Sequence, residues 1–184
     1  IQVERFAFDP LAREALRSRL DLGEKTLVVG CVGRLCAQKN QSFLLRVLAN
    51  LPNAALVLAG EGEDEAKLRM EAEQLGVASR VRFLGALEDV APLYSALDVL
   101  AMPSLFEGLG IVAVEAQAAG LPVVASPAVP PEARAVEGLF ETVPLGEREW
   151  ATRLGEMRPC ADERVAHSFT DDVRSQGYAI DRTA

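Results

Sequence analysis

Leu27-Val28-Val29-Gly30-Cys31-Val32-Gly33 is apolar throughout apart from its glycines, and it stops on one of them. A run this short, rich in β-branched residues and closed by a turn former, reads as a strand buried on both faces. Downstream, Phe43, Leu44, Val47, Leu48 and Leu51 recur at helical spacing within 42–51, and Pro52-Asn53 breaks the pattern. A second continuous apolar run, 54–59, is halted by Gly60-Glu61-Gly62. A charged helix over 63–75 follows, with Gly76 as its C-terminal cap. The same alternation then gives a strand at 81–84 ending in Gly85, a short helix at 90–96, a strand at 99–102 ending in Pro103-Ser104, an apolar helix at 111–119 and a fifth strand at 121–125. Apolar strands separated by helices predict an α/β fold, a Rossmann-like parallel sheet with helices on both faces.

Beyond Ser126 the pattern weakens. Pro127, Pro130 and Pro131 mark a loop, 139–143 reads as an edge strand and 147–157 as a helix in which Trp150 and Met157 face the core. A last amphipathic helix at about 165–181 carries Phe169, Val173 and Tyr178, with Asp171 and Asp172 as acidic residues in its opening turn. One domain is expected over 1–184, with its core at about 26–160.

Composition supports a globular chain: 184 residues, 49% hydrophobic and 25% charged. The net charge of -8, from 27 acidic and 19 basic residues, argues against nucleic acid and against adhesion to an anionic membrane. Cys31, Cys36 and Cys160 form no C-x-x-C pair and are odd in number, which speaks against a disulfide framework or zinc site and fits a reducing compartment. No apolar run approaches the ~20 residues that span a bilayer. No targeting segment is visible, although a chain opening at Ile1 without methionine carries little information on that point.

In parallel sheets the ligand crevice lies at the carboxyl ends of the strands, and four features fall there. Gly33-Arg34 and Lys39 put a guanidinium and an ammonium in one loop, a combination suited to a diphosphate. Taken alone, the two charges fit an ordinary solvated loop equally well. Glu107-Gly108-Leu109-Gly110-Ile111 precedes the apolar helix, so its amides sit where a helix dipole favours an anion. Glu107 either accepts ligand hydroxyls or caps the helix electrostatically. Glu115 lies among Val112, Val114, Ala116, Ala118 and Ala119, so its charge needs a partner. Gly60 belongs to a turn able to bring backbone close to a ligand, a weak signal. Leu84 and Leu87 flank an apolar loop that offers a surface and main-chain groups to a nucleobase, or else a plain exit from the strand. His167 reads as a surface residue and Asp98 as a turn stabiliser rather than a base.

Together these segments resemble the C-terminal domain of the large retaining GT-B glycosyltransferase family (family 4 type) that includes bacterial mannosyl- and glucosyltransferases. The resemblance rests on Val32-Gly33-Arg34-Leu35 with Gln38-Lys39-Asn40, on Leu58-Ala59-Gly60-Glu61-Gly62, and on Val81-Arg82-Phe83-Leu84-Gly85. Most specific is the run from Met102-Pro103-Ser104 through Glu107-Gly108-Leu109-Gly110 and Glu115-Ala116 to Gly120-Leu121-Pro122-Val123-Val124-Ala125-Ser126, with its paired glutamates. The likeness is good over the first 126 residues and loose after them. It implies half of a GT-B fold, with the acceptor domain that precedes this region in the family absent.

Under that resemblance Arg34 and Lys39 neutralise the diphosphate of a nucleotide-sugar donor, assisted by Gly33 and by the amides of Gly108, Leu109, Gly110 and Ile111. Glu115 takes the ribose, Glu107 the donor sugar, the base rests near Leu84 to Leu87, and the turn at Gly60 brings backbone close to the ligand. The reaction implied is metal-independent hexosyl transfer from a UDP, GDP or ADP sugar, with retention, in cell-surface polysaccharide or lipopolysaccharide synthesis. The parent is expected in the cytoplasm or at the inner face of the membrane, with the chain by itself binding donor but transferring little. Residues 128–146 lack the glycine-rich loop usual in the family. Competing readings are a nucleotide-sugar epimerase or phosphorylase of the same architecture, and a non-catalytic nucleotide-binding α/β module. A receiver domain needs an acidic cluster where Arg34 stands, and a dinucleotide-binding oxidoreductase needs a G-x-G-x-x-G that the first strand lacks.

Overall fold

The computed structural model describes residues 1–157, 164–165 and 169–178. Six strands, β1 (Leu27–Val32), β2 (Ala54–Ala59), β3 (Val81–Phe83), β4 (Val99–Met102), β5 (Val123–Ala125) and β6 (Phe140–Thr142), form one parallel sheet in the order β3-β2-β1-β4-β5-β6. Around it lie α1 (Pro10–Arg19), α2 (Gln41–Ala49), α3 (Glu65–Gln74), α4 (Ala91–Ala96), α5 (Ile111–Ala118), α6 (Glu147–Glu156) and α7 (Phe169–Ser175). The expected α/β architecture is present, with β6 at the predicted edge.

The strands alternate between two cores, as the pleat requires. Val29, Cys31, Leu56, Leu58, Val99, Ala101 and Val124 pack with α2, α3 and α6. Val28, Val57, Leu100, Met102, Val123 and Ala125 pack on the opposite side with α1, α4, α5 and α7. Trp150 of α6 is fully buried edge-on against Phe43, centroids 5.2 Å apart, and its indole donates to the Pro144 carbonyl at 2.9 Å. Met157, just past α6, is half-buried against the same core. Asp171 and Asp172 occupy the first turn of α7, whose Val173 is buried. The helix stops at Ser175, short of the expected end, because Gln176 and Gly177 form a turn in which Gly177 takes a left-handed φ of 83°. Residues 166–168 and 179–181 of the expected helix, with His167 among them, and Cys160 lie outside the described residues.

Sequence periodicity does not identify α1. Its inward face carries Arg13 and Arg17, which converge on Asp98, a residue buried directly before β4. Arg13 reaches one carboxylate oxygen at 2.6 Å and Arg17 the other at 3.1 Å, while the Val28 amide donates to that second oxygen at 2.8 Å. Asp98 is therefore more than the turn stabiliser expected from sequence: it ties α1, β1 and β4 together. The signal that marks α1 is its cap, since Asp9 accepts from the Leu11 and Ala12 amides and Pro10 stands at the first helical position.

Candidate functional site

The order of strands reverses at β1 and β4, which are neighbours in the sheet though 66 residues of chain separate them. At such a switch point the loops leaving the two strands diverge and open a crevice. Here the two loops are stitched together at its floor. Leu105 donates its amide to the Gln38 carbonyl at 2.8 Å, the Gln38 side chain donates to the Phe106 carbonyl at 2.9 Å, and the Asn40 side chain donates to the Pro103 carbonyl at 3.0 Å. Gln38 and Asn40 thus have positioning roles beyond their place in the sequence motif. Asn40, in the left-handed region at φ 55°, also starts α2.

Lys39 and Glu107 meet across this seam, Nζ to Oε1 at 2.5 Å, with side chains 19% and 7% exposed. The same Oε1 accepts from the buried Ser104 hydroxyl at 2.6 Å. Glu107 makes no hydrogen-bonded cap: α5 opens on Gly110, in the left-handed region at φ 69°, with no side-chain cap bond. The amides of Gly108, Leu109, Gly110 and Ile111 therefore point to no protein acceptor among the described residues. They form an anion-seeking helix terminus beside an ammonium group. Around it Leu105, Phe106, Leu109 and Ile111 are exposed, an apolar rim that sequence reading did not single out.

Arg34 stands on the same loop as Lys39 but turns to Glu63, at 3.1 Å, and both side chains are mostly exposed. Such a solvated pair is screened by water and adds little to stability, so it exchanges partners readily. The stem of Lys39 lies close over Gly33, where a β-carbon would come within 3.1 Å of Cε. Gly60 serves loop packing: at φ 136°, a β-carbon there would sit 2.0 Å from the Gly33 carbonyl oxygen. Its amide donates to the Gly85 carbonyl at 2.7 Å, drawing the loops after β1, β2 and β3 together.

Leu84 and Leu87 are half-buried and line an apolar hollow of about 380 Å³ with Leu16, Pro92 and Leu93. The main chain there is less available than the sequence suggests, because the Leu84 amide is bonded to Leu58 and the Gly85 carbonyl to Gly60. A larger cavity, about 760 Å³, lies at the opposite, amino ends of β1 and β2, lined by Lys25, Arg80 and Arg82. Its arginines are engaged with the Leu48, Leu51, Ala54, Leu20 and Ser79 carbonyls, so its size alone does not make it the site.

Glu115 has found the partner its apolar setting demands. The Tyr94 hydroxyl donates to Oε2 at 2.8 Å. Burial nonetheless raises the Glu115 carboxyl above its ordinary value, opposed by Tyr94, by Arg5 and by the amino group of Ile1. Cys31 in β1 is pushed up to about 12, chiefly by burial, so it is a core thiol and no nucleophile at neutral pH.

The sequence model described as Glycosyl transferases group 1 matches residues 12–140. This chain belongs to the group 1 glycosyl transferases. Among curated relatives of this glycosyltransferase domain is the GDP-mannose-dependent alpha-(1-6)-phosphatidylinositol monomannoside mannosyltransferase of Mycolicibacterium smegmatis. It is 37% identical, over 98% of this chain and 50% of its own length. Two solved structures share the fold. HepE of Anabaena, in complex with UDP and glucose, superposes with a TM-score of 0.79 at 27% identity, covering 98% of this chain and 51% of its own. WaaG, a glycosyltransferase involved in lipopolysaccharide biosynthesis, gives 0.73 at 27% identity, covering 97% and 50%. The group 1 domain here is thus the Rossmann-like half of a GT-B architecture, and the chain spans about half the length of the curated relatives it matches.

Proposed function

We propose that this domain is the donor-binding half of a retaining glycosyltransferase that moves a hexose from a nucleoside diphosphate sugar to an acceptor. The observation that carries the reading is the meeting of Lys39 and Glu107 beside the open amides of α5. The barrier to transfer lies in the departure of a diphosphate, and preorganised positive charge where negative charge develops is the effective element. Lys39, the α5 amides of Gly108, Leu109, Gly110 and Ile111, and Arg34 released from Glu63 supply that charge, and in this reading no metal is needed. Glu107, freed from Lys39 by the incoming phosphates, accepts hydroxyls of the donor sugar. Glu115 accepts the ribose hydroxyls, and the base lies against Leu84 and Leu87. HepE was captured with UDP and glucose, which supports a nucleotide-sugar donor for a chain that superposes on it so fully.

Lipopolysaccharide or other cell-surface polysaccharide synthesis, as for WaaG, is the setting we propose for the parent. Among the described residues no helix is long and apolar enough to cross a membrane. The thiols of Cys31 and Cys36, both free, favour a cytoplasmic parent, docked at the inner membrane face where lipid-linked acceptors arise.

The test is calorimetric titration with UDP, GDP and ADP, alongside Lys39→Ala. One nucleotide should bind with a dissociation constant between about 1 μM and about 1 mM, and the variant should weaken it at least roughly tenfold. A folded chain that binds none of the three, or a Lys39→Ala variant that binds as well as the parent, would refute the donor site.

A further inference from the structure

Tyr94 is buried to 0% exposure in α4, yet it carries a hydroxyl into the core side of the sheet. A phenol so placed needs a polar partner. It has one, Oε2 of Glu115 on α5, at 2.8 Å. Its ring is held by packing, with Phe6 at a centroid distance of 6.0 Å, so the hydroxyl is fixed in direction. Glu115 is only half-buried, and among the described residues its Oε1 accepts no hydrogen bond. The carboxylate therefore has an inner oxygen anchored by a rigid donor and an outer oxygen left to accept.

We propose that Tyr94 is a positioning residue for ribose recognition: its hydroxyl locks Glu115 in the rotamer that presents Oε1 to the sugar hydroxyls of the bound nucleotide. The inference rests on the donor-site reading above and adds a residue that touches no ligand. A carboxylate held by one strong bond loses less freedom on accepting a second, so the gain appears as selectivity for the hydroxylated sugar. Tyrosine suits the task because its packed ring cannot follow a mobile carboxylate, as a flexible lysine in its place could.

The experiment compares the wild-type chain, Tyr94→Phe and Glu115→Gln by calorimetry, against the nucleoside diphosphate that binds best and its 2′,3′-dideoxy counterpart. Thermal melts confirm that each variant is folded; Tyr94→Phe keeps the packed ring. The wild type should prefer the ribose form by roughly tenfold or more, the magnitude of one charge-assisted hydrogen bond. Tyr94→Phe should lose several-fold affinity for the ribose form with the dideoxy form unchanged, and Glu115→Gln should lose most of the preference. Equal weakening of both nucleotides by Tyr94→Phe would reduce Tyr94 to a scaffold residue and overturn the proposal. Full preference in Tyr94→Phe, with loss in Glu115→Gln, would overturn it while leaving Glu115 as the ribose ligand. Retained preference in Glu115→Gln would overturn this assignment while leaving the Lys39 diphosphate site standing, whereas no binding by the wild type would sink both this assignment and the reading it rests on.

Discussion

A carboxylate set into an apolar helix face resists ionisation, and Glu115 does so despite the Tyr94 bond, because burial outweighs the favourable contacts. The native carboxyl therefore holds its proton at a higher pH than the unfolded one. Ionisation at neutral pH costs stability, and that cost disappears as the pH falls through the raised native value towards the ordinary 4.5. Glu115→Gln, whose amide oxygen still accepts from Tyr94, should accordingly melt at a higher temperature than the parent at pH 7. The difference should shrink on acidification, which calorimetric scans across that range would show; a constant difference would contradict the burial effect. The same residue shows what sequence can and cannot convey. Its apolar neighbours announce that the charge needs a partner, but the partner sits on another helix, 21 positions away, and only the fold brings it near. Lys39 and Glu107 are similar: each is legible as a candidate by its loop, whereas their contact across 68 positions depends on β1 and β4 being neighbours.

Among the elements, strands 54–59 and 99–102 read true to the residue because nothing but apolar side chains fills them. The fifth strand is shorter than its apolar run, since Leu121 and Pro122 precede the ladder that begins at Val123. Helix α1 escapes hydrophobic pattern reading for a physical reason. Two of its inward positions are arginines, which any hydropathy count assigns to solvent. They are inside only because Asp98 is there, and a buried pair is strongly destabilising to break when one partner is removed. Asp98→Ala should lower unfolding free energy by about 3–5 kcal/mol in urea titrations, leaving two guanidinium groups facing each other without a counter-charge. A loss below about 1 kcal/mol would mean that α1 is held by its apolar contacts with α4 and that the ion cluster is incidental.

At the scale of the molecule, the chain is acidic, with a net charge of -8, yet its crevice gathers an ammonium, a helix terminus and a loosely held guanidinium. Each cation is balanced by a carboxylate, Lys39 by Glu107 and Arg34 by Glu63, so their charge is offered to an incoming anion only as those pairs open, beside the helix terminus. The family likeness was legible here because it is written in loops at strand ends, where the fold places ligands. The chain covers 50% of the length of the mannosyltransferase it resembles. Purified as it stands, it should bind nucleotide but transfer sugar to acceptor at a rate well below that of a full-length relative in a radiolabelled-donor assay. Transfer at a comparable rate would show that the catalytic groups all lie within these residues.

The single carboxylate of Asp98 also serves as the first rung between β1 and β4, because it takes the Val28 amide one residue before the strands begin to pair at Val29 and Val99. Arg17 of α1 shares the carboxylate oxygen that accepts from Val28, and Arg13 holds the other, so the docked helix fixes the acceptor of this amide. Its exchange with deuterated solvent therefore clocks the undocking of α1, separately from the opening of the sheet that frees the amides of Gly30 and Val32. One backbone proton thus serves as a built-in gauge of how often the amino-terminal helix lets go while the rest of the domain stays folded.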